Sequence, residues 1–228
     1  MATLTWHGHA TWTVRTGGHT LLVDPFFTGN PAANQTAHQA NADVILVTHG
    51  HEDHTADLVE IARRTGAAVV CNWEISEWLR GQGIDNTVPM NIGGTVKFDW
   101  GTAKMTPALH SSSWPDGTYA GNPCGYLLTL TENKTTIYFA GDTALFGDMT
   151  LIGRGGIDVA VLPIGDVYTM GVEDSLVAID LLKAKKVLPS HYNTWPPIAV
   201  DANHWATRVG HEANAQPIVP RVGEGVEV

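Results

Sequence analysis

Residues 43–54 read DVILVTHGHEDH, and this stretch decides the fold. Its first half, residues 43–48, is a short apolar run of the kind that forms a strand buried on both faces. Directly beyond it, three histidines and an aspartate fall within six residues: His49, His51, Asp53 and His54. A packed core would have to desolvate and satisfy every one of these polar groups. A metal ion supplies the missing interaction, because imidazole nitrogen and carboxylate oxygen are the donors that Zn²⁺ and related borderline ions prefer. Gly50 is expected to provide a sharp turn, so that side chains on both sides converge. A solvated histidine-rich loop is the bland alternative. It suits an isolated pair of histidines better than this H-x-H-x-D-H spacing.

One segment cannot complete two coordination spheres, so further ligands are sought just beyond other apolar runs. Three candidates answer. His110 follows residues 103–109, Asp142 follows the run ending Phe139-Ala140-Gly141, and His191 follows Val187-Leu188-Pro189-Ser190. Open α/β sheets place their sites at such strand ends. Any one of these alone reads as an ordinary surface residue; together with the first motif they read as a site.

The rest of the chain gives the frame. Residues 4–7, 11–16 and 20–24 read as strands, with Gly17-Gly18 as a hairpin turn. Residues 28–41 are polar and read as a surface loop. Helices are expected over 55–64 and 73–80, with a strand over 67–71 between them. Residues 95–99, 103–109, 125–131 and 135–140 carry β signals, and a loop spans 111–123. The last third alternates: strand 158–162, helix 172–182, strand 186–189, helix 202–212, and a final strand over 217–222. The two halves share an organisation without a clear sequence repeat. Two sheets packed face to face, with helices on the outer faces, satisfy this order. A single doubly wound sheet accounts less well for the N-terminal meander and the β-rich centre.

Bulk properties narrow the functions. The chain has 228 residues, 43% of them hydrophobic and 16% charged, which suits one α/β domain over residues 1–228 with a full core. The formal net charge is -10 and no Lys or Arg cluster is present. That argues against nucleic acid and against an anionic membrane surface as partners. No apolar run reaches membrane-spanning length, and the N-terminus MATLTWHGHATW has no signal-peptide pattern. A cytoplasmic protein with a small-molecule substrate is expected; whether it forms a homo-oligomer is left open. Cys71 and Cys124 read as buried, reduced thiols. Eleven histidines accompany only thirteen Lys plus Arg, and here the spacing explains what the composition cannot.

HGHEDH (49–54), ALHSSS (108–113), AGDT (140–143) and SHYNT (190–194), in this order, resemble the metallo-β-lactamase superfamily. WHGHAT (6–11), LLVDPFFTGNP (21–31), NIGG (91–94) and GDMTLIG (147–153) resemble one branch closely. That branch is a bacterial and archaeal group of uncharacterised metal-dependent hydrolases related to L-ascorbate-6-phosphate lactonase. The resemblance runs from about residue 4 to about residue 219. It implies a four-layer αββα sandwich of two mixed β-sheets flanked by helices. It implies two divalent metal ions, zinc with manganese or iron as alternatives. One would be held by His49, His51 and His110, the second by Asp53, His54 and His191, with Asp142 bridging them. Histidine at position 51, where glutamate would stand, disfavours the flavodiiron-type branch. Asp24 is expected to orient ligand histidines through their free N–H. His9 either faces the pocket or is a hydrogen-bonded histidine at a strand end. His7, His19, His38, His204 and His211 read as solvent or packing histidines.

The implied reaction is hydrolysis of a small ester, lactone or phosphodiester by a metal-bridging hydroxide. Two metals can lower the pKa of a shared water from about 15.7 toward about 7. Asp53 is the candidate catalytic proton acceptor. Residues 111–122, Tyr168-Thr169-Met170-Gly171 and Tyr192-Asn193 are expected to line the pocket, and they bring few positive charges. The rival readings are an iron enzyme that uses oxygen through the same ligands, a non-catalytic metal-binding protein, and, least favoured by the charge, an RNA-processing nuclease.

Overall fold

Alternation along the strands explains the layers in the computed structural model, which describes residues 2–228. In the first half the elements are β1 (Thr3–Trp6), β2 (Trp12–Thr16), β3 (His19–Val23), β4 (Val44–Leu46), α1 (Glu52–Thr55), α2 (Leu58–Thr65), β5 (Ala68–Asn72), α3 (Trp73–Gly81) and β6 (Thr87–Met90). On β3 and β4, Leu21, Val23, Val44 and Leu46 point into one apolar cluster, while Leu22 and Ile45 point into another. The second cluster holds Leu58 and Ile61 of α2 and Ile75 and Leu79 of α3, so these helices cover the outer face. Period-2 side chains can do this only if the sheet is buried on both sides, and the continuous apolar run at 43–47 reflects that. Each fully buried Leu or Ile contributes roughly 1.5–3 kcal/mol relative to exposure.

The second half repeats the plan: β7 (Thr95–Phe98), β8 (Gly101–Pro107), β9 (Cys124–Leu130), β10 (Thr136–Phe139), α4 (Met149–Ile152), β11 (Ile157–Pro163), α5 (Val172–Leu182), β12 (Ala184–Ser190), α6 (Ala202–Glu212), β13 (Gln216–Pro217) and β14 (Gly225–Glu227). The sheets run β14-β1-β2-β3-β4-β5-β6 and β13-β12-β11-β10-β9-β8-β7. In each, an antiparallel meander passes into parallel strands, at β3–β4 in the first sheet and at β10–β11 in the second. Trp12 and Leu21 of the first sheet share a core with Tyr126, Phe139 and Val161 of the second, which makes the two-sheet sandwich. On the far side α5 packs against β11 and β12, and the Trp205 indole N–H of α6 donates to Ser175 Oγ of α5 at 3.0 Å. Among the described residues, no helix is long and apolar enough to cross a membrane.

Four local expectations need correction. The helix expected over 55–64 forms as α2 and starts three residues later, after a separate turn α1; ahead of it the Asp57 carboxylate accepts from the N–H of Phe27 at 2.6 Å and of Thr28 at 2.9 Å. Strand β6 was not expected; Pro89 interrupts its pattern, and it forms as the edge strand beside β5. The strand expected over 217–222 is confined to residues 216–217, and the chain then crosses to the other sheet, where β14 pairs with β1. Gly50 lies in backbone without a bend, although His49 Nε2 and His51 Nδ1 on either side of it do converge, 2.9 Å apart. It is required by proximity, since a Cβ there would lie 2.3 Å from Ala120 Cβ.

Candidate metal centre

Strand direction brings the polar residues together. β1 and β3 flank the antiparallel β2 and so run the same way, and β4 and β5 continue parallel to β3. In the second sheet β8, β10, β11 and β12 likewise share one direction. His9, Asp24, the 49–54 segment, His110, Asp142 and His191 all lie just beyond the C-terminal ends of these strands. They therefore meet along a single edge of the sandwich. His9, Asp24 and His191 hold left-handed backbone, with φ of 52°, 47° and 51°. That conformation is uncommon outside glycine and marks positions where the surrounding structure fixes a side chain for use.

The side chains form interlocking groups. The ligand atoms of His49, His51 and His110 lie within 4.8 Å of one another, as do those of His9, Asp53, His54 and His191, and those of His49, His54 and Asp142. Asp142 Oδ2 stands 3.0 Å from His191 Nε2, 3.4 Å from His54 Nε2 and 3.7 Å from His110 Nε2. Behind them, Asp24 Oδ2 accepts from His54 Nδ1 at 2.8 Å and from Thr48 Oγ1 at 2.7 Å, while its Oδ1 accepts from the Thr48 N–H. The Asp24 contact leaves His54 Nε2 turned toward Asp142. This is the carboxylate–imidazole support usual behind a metal-ligating histidine.

The donor set fits a cation. His54 Nε2 and Asp142 Oδ1 are buried without a hydrogen-bond partner among the described residues, a costly state for polar atoms unless something else binds them. Burial alone would raise the carboxyl pKa of Asp142, yet the charges of His191 and His54 hold it well below the usual range. Burial works the same way on Asp53, where the charge of His54 and the neighbouring His191 and His9 win. The histidines respond in kind. Burial would lower His191, but Asp142 lifts it to about 9, and His54 is raised for the same reason. His49, with burial dominant, stays neutral. Positive charge is thus demanded between these carboxylates, and a divalent ion meets that demand without protonating the donors.

All seven sequence-predicted ligands, His49, His51, Asp53, His54, His110, Asp142 and His191, come together at this edge. His9 belongs with them: it is fully buried and bonds Asp53 Oδ2 at 3.0 Å and Thr194 Oγ1 at 2.7 Å. The signal available for it was the WHGHAT stretch alone. A cleft of about 370 Å³ opens over the cluster, walled by Ser111, Tyr168 and Trp195 besides the ligand candidates. Trp195 was not foreseen. Of the expected wall residues Ser111 and Tyr168 line the cleft, while others lie elsewhere. Tyr192 is buried and stacks on Trp6 with ring centroids 5.0 Å apart, and within residues 111–122 Trp114 stacks on Trp78 at 3.7 Å. Of the histidines read as solvent or packing residues, His7 is buried and bonded to Asn34 and Thr13, while His38, His204 and His211 are exposed. Cys71 and Cys124 are free, buried thiols.

Comparison with known proteins agrees with this geometry. The sequence pattern described as the β-lactamase superfamily domain matches residues 19–192. A UPF0173 metal-dependent hydrolase of Shouchella clausii is 47% identical over 231 residues, covering 99% of each chain. Another from Geobacillus thermodenitrificans is 51% identical over 209 residues, covering 90% of this chain and 91% of its own. Among solved structures, a metallo hydrolase of the archaeon Ignicoccus hospitalis superposes with a TM-score of 0.90 at 37% identity, covering 99% of this chain and 97% of its own.

Proposed function

Since the chain belongs to the β-lactamase superfamily, in the UPF0173 metal-dependent hydrolase group, we propose that it is a hydrolase working with two divalent metal ions, zinc, manganese or iron. The observation that carries this reading is the donor set itself: seven buried or half-buried side chains from four strand ends, with His54 Nε2 and Asp142 Oδ1 unpartnered among the described residues. His49, His51 and His110 would hold one ion, and Asp53, His54 and His191 the other. Asp142, whose Oδ2 lies within 3.7 Å of both sets, would join them.

When bound, the ions would supply Lewis acidity, bringing a coordinated water's pKa toward about 7 and polarising the bond under attack. The chain's own residues do the rest. Asp24, itself bonded by Thr48, fixes His54, and His9 holds one oxygen of Asp53. Asp53 is the residue we assign to accept a proton from the attacking water. Its carboxyl is held ionised and its side chain is 28% exposed at the cleft. The supporting test is chelation. Removing divalent ions should abolish hydrolysis of small esters, lactones or phosphodiesters, and adding back zinc or manganese should restore it. Unchanged turnover after full metal removal contradicts the proposal.

A further inference from the structure

The wall of the cleft has a distinct chemistry. Five of the residues lining it are proposed ligands; the others are Ser111, Tyr168 and Trp195, and none of the lining residues is Lys or Arg. Lys104 and Arg154 line a different cleft, beside α4, and Lys185 pairs with Asp158 on the surface. A phosphate monoester or other polyanion is normally gripped by Arg or Lys forks. Here, apart from the proposed ions, it would find no cationic side chain, only aromatic rings on a chain of net charge -10.

Both rings line the cleft, Trp195 held by ring packing and Tyr168 carried on an anchored turn. Trp195 is 36% exposed, and its ring packs on Phe26 and His9 with centroids 6.1 Å and 5.0 Å away. Its loop is closed by the Asn193 N–H donating to Ile198 O at 2.8 Å, and Pro196-Pro197 follows directly. Tyr168 is 55% exposed on a turn in which both Asp166 and Val167 have left-handed backbone, φ 60° and 54°. For a β-branched residue such as Val167 that is a strained conformation, kept only where the surroundings impose it. The turn is anchored by the Met170 N–H donating to Thr143 O at 2.8 Å, one residue from Asp142. One packed aromatic ring, Trp195, and one exposed ring on an anchored turn, Tyr168, thus stand at the mouth of a polar floor. Ligand pockets commonly pair an apolar wall with a few convergent polar groups, and aromatic faces reward flat apolar groups.

We propose that the substrate is a neutral ester or lactone bearing a flat apolar group, which Tyr168 and Trp195 hold while its carbonyl faces the ligand cluster. The assignment rests on the hydrolase reading above. Hydrolysis consumes one water. Its oxygen forms the new acyl C–O bond, the original acyl C–O bond breaks with its electron pair leaving on the alkoxide, and the alkoxide takes the proton released by the water.

The experiment compares phenyl butyrate, methyl butyrate, phenyl phosphate and methyl phenyl phosphate with zinc-loaded protein. Phenyl butyrate should exceed both phosphates in kcat/KM by about 100-fold or more. The phenyl-to-methyl butyrate ratio should fall about tenfold in Trp195→Ala and in Tyr168→Ala, the scale of one lost aromatic wall. Tyr168→Phe should keep the ratio. Preference for either phosphate, or an unchanged ratio in both alanine variants, overturns the substrate class and leaves the hydrolase reading standing. If none of the four is turned over, that reading fails, and calorimetry with 4-phenylbutan-2-one and phenylphosphonate decides the pocket chemistry. Tighter binding of the ketone, lost in Trp195→Ala, supports the neutral aromatic pocket. Equal or tighter binding of the phosphonate overturns it.

Discussion

His9 Nε2 stands 3.0 Å from Asp53 Oδ2 while its Nδ1 stands 2.7 Å from Thr194 Oγ1. Burial lowers the His9 pKa to about 4, so the ring is neutral at pH 7. With Asp53 ionised, Nε2 carries the proton and donates, and Nδ1 accepts from the threonine hydroxyl. A strand end near the N-terminus thereby orients a carboxylate of the 49–54 segment. His9→Ala should weaken divalent metal affinity about 10–100-fold, as is usual when support behind a ligand is removed. Chelator competition reads this directly, and Thr194→Val should show a smaller change in the same direction.

Asp24 ties three groups at once: His54 Nδ1, the Thr48 hydroxyl and the Thr48 N–H. It is 1% exposed, so deleting the carboxylate leaves buried donors unpaired. Asp24→Ala should cost about 3 kcal/mol of stability, within the range for breaking a buried charged pair. Urea denaturation measures it as a lower midpoint.

Gly50 lies against Ala120, with 2.3 Å between its virtual Cβ and the alanine methyl. Gly50→Ala should destabilise the protein by about 1–3 kcal/mol through overpacking. Adding Ala120→Gly should recover part of the loss, and a double-mutant cycle gives the coupling.

The thiols offer a check on the core. Burial raises the Cys71 pKa to about 12 and pushes Cys124 higher still, so thiolate is negligible at pH 8. A disulfide-exchange reagent should titrate no thiol in the native protein at pH 8 and two per chain in denaturant.

The sequence discloses the site where polar residues interrupt an apolar pattern. Residues 43–54 carry both a buried strand and its ligands in one stretch, so strand and function are legible together. His110, Asp142 and His191 are readable because each ends an apolar run. Elements defined by distant partners are not. β14 is Gly-Val-Glu, with no local β signal, and exists because Thr3–Thr5 of β1 pair with it. Trp195 follows a polar SHYNT stretch, and only the packing on Phe26 and His9 turns it to the cleft. Gly50 was misread for a related reason. A glycine in sequence suggests a turn, whereas the crowding by Ala120, seventy residues on, is visible only in three dimensions.

The most direct measurement is metal stoichiometry by elemental analysis on wild type and Asp142→Ala, purified without chelator and assayed together for ester hydrolysis. The wild-type chain should carry close to two divalent ions, with metal and activity lost together in the variant, because Asp142 faces both ligand sets. A wild-type chain that binds no metal and shows no metal-stimulated turnover would contradict the hydrolase reading.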